Sequence, residues 1–245
     1  MKRVHTPEMM DAPDAPRERL ASALGFIRGV NRRLGGVRAL VSHLSRWSAN
    51  WPADRPVTLL DIGTGSADLP VAARRWAMSK GFDLRVTGVD NHPTTLDLAR
   101  EHVAAQGDGV ARGVELVEAD ALSLTDRHSD RSFDYVHAGL FLHHMDSEIK
   151  VLTMLRIMDR LAARGIVWND LVRSRIGLAA IRLMTIGQDE MVRHDAYVSV
   201  KAGFTKREAL DLAHRVDLHY CRYSWNLFTH RFTLAGEKPQ AWALP

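Results

Sequence analysis

Hydrophobic and polar positions change their period once along the chain, near Val57. From Arg17 up to that point, apolar residues recur at helical spacing, and Gly35-Gly36 divides the stretch into two helices. Beyond it, short apolar runs alternate with helical segments. The runs are VTLLDI, LRVTGVD, VELVEAD, SFDYVHAGL and GIVWND. This alternation predicts an α/β fold, a parallel sheet with helices on both faces.

The carboxyl-terminal region departs from this alternation. Its segment DLHYCRYSWNLFTHRFTLAGE contains two strands with no helix between them, and strands joined in that way must be antiparallel. A sheet of seven strands, mostly parallel with a C-terminal antiparallel pair, is therefore expected. Thr205 and Glu208 form a capping box that predicts a helix start. Residues 171–187 are apolar nearly all round, which predicts a buried helix.

The same patterns predict the domain organisation. Residues 1–15 are rich in Pro, Asp and Ala and are expected to be a flexible lead-in. With the two helices that follow, they make residues 1–56 a helical N-terminal cap. Residues 57–245 are expected to form the main domain, within which residues 171–204 would be a lid inserted over a substrate pocket. Asp146 is expected to cap the helix that Gly165 ends.

Composition indicates the cellular compartment and excludes some kinds of site. Cys221 is the one cysteine, so no disulfide framework and no thiolate zinc site can form within the chain. The first residues lack a signal-peptide core and no apolar run could span a bilayer, which favours the cytoplasm without stable membrane association. A homodimer is left open.

Basic residues are concentrated at the start of the chain. Residues 1–56 hold ten Lys and Arg against five Asp and Glu. A solvated helical face explains this excess best, while contact with a nucleic acid or an anionic membrane surface is the alternative. No Phe, Tyr or Trp lies among the arginines from Arg28 to Arg46, where base stacking would require them, so no nucleic-acid partner is expected.

A glycine-rich turn, LLDIGTGSADLP, follows the first predicted strand. Such turns bind dinucleotides or S-adenosylmethionine (SAM). Gly63 and Gly65 fit the dinucleotide fingerprint, but Asp68 occupies the third glycine position, where a carboxylate would repel a pyrophosphate. Asp61 adds a second negative charge. Acids around the turn suit the ammonium group and sulfonium centre of SAM.

Acids also end the next two predicted strands. Asp90 lies 27 residues after Gly63 and can accept both hydroxyls of a ribose. Asp120 ends the third strand and could accept from the exocyclic amine of adenine. Because the carboxyl ends of parallel strands meet at one edge, Asp61, Asp90 and Asp120 are expected to line a single crevice.

The segments LLDIGTGSAD, VTGVDNHP, VELVEADAL and FDYVHAGLFLHHM resemble the successive motifs of class I SAM-dependent methyltransferases. The resemblance extends from Val57 to about Glu237 and implies a Rossmann-like fold with SAM as donor and S-adenosylhomocysteine (SAH) as product. It implies a ribose site at Asp90. The remaining cofactor contacts that it implies are Asp61, Gly63, Thr64 and Gly65 near the methionine portion, Asn91, Asp120 and Ala121 around adenine, and Ala138. Ala67 departs from the family pattern, which often has glycine there.

Three further segments, FIRGVNRRLGG, WNDLVRSRIG and RHDAYVSVKAGFT, resemble a bacterial subgroup associated with polyketide and other secondary-metabolite pathways. This narrower resemblance implies a small, aromatic or lipophilic acceptor, methylated at oxygen or carbon. Three alternatives stay open: an NAD-type oxidoreductase, a nucleic-acid methyltransferase, and a regulator that binds SAM without catalysis.

Histidines supply the candidates for acid–base chemistry. His143 and His144 leave the fourth strand where an acceptor should meet the donor, and either imidazole could take a phenol proton. His144 is the preferred base. His194, beside Asp195, is a further catalytic candidate. The twelve histidines are otherwise scattered without metal-ligand spacing, so no metal is predicted.

Overall fold

A seven-stranded sheet forms the centre of the protein, whose computed structural model describes residues 1–239. The strands are β1 (Val57–Ile62), β2 (Leu84–Asp90), β3 (Val114–Glu118), β4 (Phe133–Gly139), β5 (Ala162–Leu171), β6 (Arg222–Asn226) and β7 (Arg231–Glu237). Their order is β3-β2-β1-β4-β5-β7-β6. The first five strands pair in parallel, and β7 is antiparallel to both β5 and β6. The predicted fold class is confirmed; residues 240–245 of the predicted domain lie outside the described residues.

Ten α-helices accompany the sheet within residues 1–239. They are α1 (Arg17–Arg33), α2 (Gly36–Trp47), α3 (Asp68–Ser79), α4 (Pro93–Ala104), α5 (Asp108–Ala111), α6 (Leu124–Arg127), α7 (Glu148–Leu161), α8 (Arg175–Met184), α9 (Glu190–Ala202) and α10 (Lys206–His214). The buried faces of α2 and α3 pack with Leu59 and Val86 on one side of the sheet. On the other side, α7 and α10 pack with Leu60 and Ile166. Successive residues of a strand point to opposite faces of the sheet, so each face has its own hydrophobic core.

Local signals position most helix ends. Gly35 takes a left-handed conformation, with φ of +87°, between α1 and α2. The Thr205–Glu208 capping box starts α10 as the sequence predicts. The prediction for α7 was wrong in detail, because Ser147 rather than Asp146 caps its first turn. The strand β5 also begins at Ala162, before Gly165.

The prediction that residues 171–187 form a buried helix was wrong. Only Gly177 is buried in α8, whereas Ile176 and Leu183 are 66% and 70% exposed. The helix packs along α9 on one side only. An all-round apolar pattern therefore does not place this helix in the core.

The segment 1–15, predicted to be flexible, is packed onto the domain. The backbone N–H groups of Met9 and Met10 donate to the carboxylate of Asp195 at 2.7 and 3.0 Å. The guanidinium of Arg3 donates to the carbonyls of Ala202 and Met145. These contacts hold the segment across α9 and the turn that follows β4.

At the amino ends of the strands, a buried carboxylate joins β4 to β1. Asp134 accepts two hydrogen bonds at 2.7 Å from the guanidinium of Arg55, and others from the backbone and hydroxyl of Thr58. Burial would raise the pKa of Asp134, but these hydrogen bonds outweigh it and hold the pKa below its ordinary value.

Replacing Asp134 with asparagine is expected to lower the free energy of unfolding by about 1–3 kcal/mol at pH 7, because charge-assisted hydrogen bonds are lost. A carboxylate with a lowered folded pKa stabilises above its unfolded pKa, about 3.9, and loses this effect as pH falls through the folded value. The difference from wild type should therefore shrink between pH 5 and pH 3 in urea titrations. Asp97→Asn, in an exposed pair with Arg100, is the control. An equal difference at both pH values would contradict this account.

The sheet order places a crevice at the carboxyl ends of β1 and β4. The chain leaves β1 for β2 on one side and reaches β4 on the other, so the loops diverge there. Ligands of open α/β sheets bind at such switch points. Among the helices in residues 1–239, no apolar stretch reaches the length needed to cross a bilayer.

Candidate functional site

A cavity of about 500 Å³ opens at the carboxyl ends of β1, β2 and β4. Its size falls within the range of small-molecule sites. The glycine turn after β1 and the turn after β4 both border it, and Phe141 of the second turn lies against Gly63 of the first. The other walls come from α1, α9 and the packed segment 1–15, whose lining residues include Leu24, Ile27, Val192, Ser199 and Glu8.

The glycine turn brings backbone close to the cavity. Gly63 has a φ of +67°, and a Cβ there would lie 2.2 Å from a ring carbon of Phe141. Glycine is therefore required by both conformation and space. Ala67, the departure from the family pattern, also takes a left-handed conformation, with φ of 56°, just before α3. Alanine therefore adopts at this position the left-handed backbone conformation that glycine favours.

Asp61 is held at the base of the turn by two neighbours. The Nδ1 of His137 lies 2.5 Å from one of its carboxylate oxygens, and the hydroxyl of Thr64 donates to the other at 2.8 Å. The Asp61 side chain is only 3% exposed. Because both partners lie on the sheet or the turn, the carboxylate is fixed in orientation at the edge of the cavity.

Asp90 at the end of β2 bridges two loops. Its carboxylate accepts from the backbone N–H of Gly65 at 3.0 Å and from that of His92 at 3.1 Å. Burial raises the pKa of Asp90, and these two bonds partly offset the effect. Each oxygen has lone pairs left for further donors. A ligand with two adjacent hydroxyls suits this carboxylate.

The remaining predicted cofactor residues lie around the same end. Asn91, Asp120 and Ala121 line the cavity, as do Thr64 and Gly65. The Asp120 carboxylate accepts from the backbone N–H of Leu122 at 2.9 Å. Ala138 is different, because it is fully buried in the core and does not line the cavity. Its neighbour Gly139 does, since successive residues of a strand face opposite sides.

A chain of polar side chains links the glycine turn to β5 and β7. Asn31 of α1 donates to the carboxylate of Asp68 at 3.0 Å and accepts from Arg231 at 2.8 Å. Arg231 also donates to Asn169 at 3.0 Å. The pKa of Arg231 is lowered to about 10 by burial, and the charges of Asp170 and Asp68 oppose this effect. The chain fixes α1 over the cavity.

The two adjacent histidines after β4 each hold a carboxylate through Nδ1. His143 Nδ1 lies 2.6 Å from Asp170 at the end of β5, and His144 Nδ1 lies 2.9 Å from Asp11. Their Nε2 atoms face one carboxylate oxygen of Glu8, at 3.5 and 3.7 Å. Both imidazoles line the cavity.

These contacts change the pKa values of the group. Burial would lower the pKa of His144, but the charges of Glu8 and Asp11 outweigh it and raise the pKa to about 10. Burial also opposes the effect of Asp170, which raises the pKa of His143. Burial would raise the pKa of Glu8, yet the two histidines hold it at about 2. The histidines and Glu8 thus stabilise each other's charged forms.

His194 lies away from this arrangement. Its Nδ1 contacts Asp195 at 2.9 Å, but the side chain is 38% exposed and does not line the cavity. Asp195 instead faces the segment 1–15. The structure therefore brings together two of the three histidine candidates.

Sequence reasoning missed the carboxylates around the histidines. Glu8 and Asp11 lie in the segment predicted to be flexible, more than 130 residues from His143 and His144. Asp170 could have been found, because it ends the fifth predicted strand as Asp61, Asp90 and Asp120 end or follow others. No local pattern indicated the two acids of the segment.

Comparisons with known proteins found a family model and solved structures that this chain resembles. A family model described as a methyltransferase domain matches residues 59–165. The plantazolicin methyltransferase, solved with SAH and a substrate analogue, superposes with a TM-score of 0.61 at 15% identity, over 90% of this chain and 97% of that one. An O-methyltransferase family protein from Burkholderia thailandensis gives 0.60 at 16% identity, over 88% of this chain.

A third similar structure is the magnesium protoporphyrin IX methyltransferase from Synechocystis PCC 6803, solved with SAH. It gives a TM-score of 0.56 at 14% identity, over 84% of this chain and 83% of that one. The chain spans only 59% of the Burkholderia protein's length. At these identities the similarity shows a common fold.

Proposed function

We propose that the chain is a class I SAM-dependent methyltransferase, since a family model described as a methyltransferase domain matches its residues 59–165, and that it methylates a small aromatic or polyketide-like acceptor at oxygen or carbon. One observation carries this proposal. A single cavity is lined by the glycine turn and Asp90 and also by the histidine pair and apolar side chains of α1 and α9. Donor and acceptor could therefore meet inside it, shielded by α1, α9 and the segment 1–15.

The donor end would hold SAM through the residues already described. SAM supplies a methyl group on a positively charged sulfur. Asp61, beside Gly63 and Gly65, would attract the positive charges of the methionine portion, and Asp90 would accept from the ribose hydroxyls. Asn91, Asp120 and Ala121 would surround the adenine. These residues bind and orient, since an in-line displacement mainly requires alignment.

The acceptor end would lie around the histidine pair, where Glu8, Asp11 and Ser199 add polar groups to the cavity wall. Phe26, Ile27, Val192 and Val200 line the cavity from α1 and α9 with apolar side chains. Such walls suit a planar or lipophilic molecule. The region 171–204, which contributes α9, would act as the lid.

His143 and His144 would act on the acceptor's hydroxyl. Either the pair removes its proton, or an imidazolium held by carboxylates stabilises the oxyanion left when that proton goes to solvent. Since each Nδ1 contacts a carboxylate and each Nε2 faces Glu8, the geometry favours the second role.

The acceptor can be sought directly. The protein would be incubated with tritiated-methyl SAM and an extract of its source organism, and labelled products identified by mass spectrometry. A labelled small molecule is expected. Label found only in RNA or protein would overturn the small-molecule acceptor, and no label with intact SAH binding would favour a regulator.

With that acceptor in hand, His144→Gln is expected to lower turnover on the order of a hundredfold while SAH affinity stays unchanged. Turnover by His144→Gln should rise toward the wild-type value at high pH, where the acceptor hydroxyl ionises without the histidine. His214→Gln, on the exposed end of α10, is the matched control. Full turnover in His144→Gln, or a parallel loss of SAH binding, would remove His144 from the reaction.

A further inference from the structure

Three side chains in the acceptor end of the cavity converge on one point. Glu8, His143 and His144 each offer one ligand atom, and these three atoms lie within 4.8 Å of one another. The imidazoles come from the turn after β4, whereas Glu8 reaches them from the segment 1–15. The cluster therefore combines parts of the chain that sequence spacing does not connect.

The distances fit a metal site better than a set of hydrogen bonds. Glu8 Oε1 lies 3.5 Å from His143 Nε2 and 3.7 Å from His144 Nε2, beyond the usual range of about 2.7–3.2 Å for N–H···O bonds. A tetrahedral ion with bonds of about 2.0–2.1 Å separates its ligand atoms by about 3.4 Å. The two distances from Glu8 to the imidazoles therefore lie within a few tenths of an ångström of that separation.

The outer contacts of the three ligands are those of a metal site. Asp170 and Asp11 contact Nδ1 of His143 and His144, so that each Nδ1–H can be donated and each Nε2 lone pair faces Glu8. Histidines that bind metals commonly donate their other nitrogen to a carboxylate in this way. The hydroxyl of Ser199 donates to Glu8, which orients the third ligand.

The three carboxylates leave this group with a net negative charge even when both imidazoles are protonated. Glu8, Asp11 and Asp170 surround two imidazoles, and among residues 1–239 no Lys or Arg nitrogen forms a salt bridge with these three carboxylates. Glu8 and Asp170 side chains are 8% and 0% exposed. Buried carboxylates are costly unless compensated, and a divalent ion would compensate them without protonating the imidazoles.

We propose that Glu8, His143 and His144 form a binding site for a divalent transition-metal ion such as Zn²⁺, with an open coordination position toward the acceptor cavity. Two imidazoles and one carboxylate are a ligand set of zinc enzymes and non-haem iron enzymes. All three ligands line the cavity, so the remaining position faces the space available to an acceptor. This reverses the expectation from sequence that the protein binds no metal.

The site would explain why the segment 1–15 is packed where it is. An ion bound there would link Glu8 to the turn after β4 and close the cavity at that end. Its chemical role rests on the proposed function. It would coordinate an acceptor hydroxyl, lower the pKa of that hydroxyl and let its proton pass to solvent, supplying the positive charge that a protonated pair would otherwise provide.

The test uses the full chain, stripped with a chelator and titrated with ZnCl₂ by calorimetry and with CoCl₂ by visible absorption. One ion per chain and the d–d bands of a four- or five-coordinate Co²⁺ are expected. Glu8→Gln and His143→Gln should each weaken Zn²⁺ binding at least tenfold. The outer-shell variant Asp170→Asn should weaken it about 10–100-fold.

His194→Gln and His214→Gln, two histidines outside the cavity, are the controls and should bind Zn²⁺ like wild type. Because His143 is buried, Glu8→Gln decides the matter if the histidine variant does not fold. The site would be overturned if wild type does not bind one Zn²⁺ per chain, or if Glu8→Gln and His143→Gln both bind Zn²⁺ as tightly as wild type. SAH titrations of the same samples test the proposed function separately, since Glu8, His143 and His144 are not among the residues expected to contact SAM.

Discussion

Replacing Asp90 with alanine is expected to lower the affinity for SAH at least about a hundredfold. The carboxylate would accept both ribose hydroxyls, and hydrogen bonds to a charged group contribute about 1.5–3 kcal/mol each. It also holds the N–H of Gly65 at 3.0 Å and that of His92 at 3.1 Å. Its loss therefore removes ligand contacts and loosens the turn that positions the methionine portion.

Isothermal calorimetry with SAH measures this effect. Asp90→Asn keeps the shape and one acceptor oxygen, so its affinity should fall between those of the alanine variant and wild type. Glu115→Ala, which removes an exposed acid of the neighbouring strand β3, should bind like wild type. If Asp90→Ala binds SAH as tightly as wild type, Asp90 does not contact the nucleotide.

Replacing Trp168 with alanine is expected to lower the free energy of unfolding by about 3–5 kcal/mol. Trp168 is fully buried in β5, and its ring meets those of Phe204 and Phe232 edge to face at 5.0 Å. Its indole N–H also donates to Asp170 at 3.2 Å. The substitution thus leaves a cavity between the sheet and α10 and frees the carboxylate that orients His143.

Urea unfolding monitored by circular dichroism measures this loss. Trp225→Ala is the matched control, because Trp225 lies on β6 with 53% of its surface exposed and should cost no more than about 0.5 kcal/mol. Trp168→Phe keeps most of the ring packing and loses the hydrogen bond, so a smaller loss is expected. A loss below about 1 kcal/mol for the alanine variant would show that this cluster does not stabilise the core.

The sheet and the donor end of the cavity could be predicted because their signals are local. The acids lie in the last residues of their strands, Asp61 next to last in β1 and Asp90 last in β2. Parallel pairing then brings those strand ends together without further information. Ala138 shows the limit of this reasoning, because a one-residue error along a strand changes the face on which a side chain lies.

The acceptor end could not be predicted, because its geometry depends on contacts between distant parts of the chain. The composition of residues 1–15 is typical of disorder, yet Asp195 binds the backbone of Met9 and Met10 and thereby brings Glu8 to the histidines. The exposure of α8 was hidden for a related reason. Periodicity shows that a helix is apolar but not whether another element covers it.

The central claim is that the cavity binds SAM and not a dinucleotide. Titrating the full chain with SAH and, separately, with NADH in the calorimeter tests it most directly. One SAH is expected to bind per chain with an affinity that depends on Asp90, and NADH is expected to give no measurable heat. Binding of NADH without binding of SAH would contradict it.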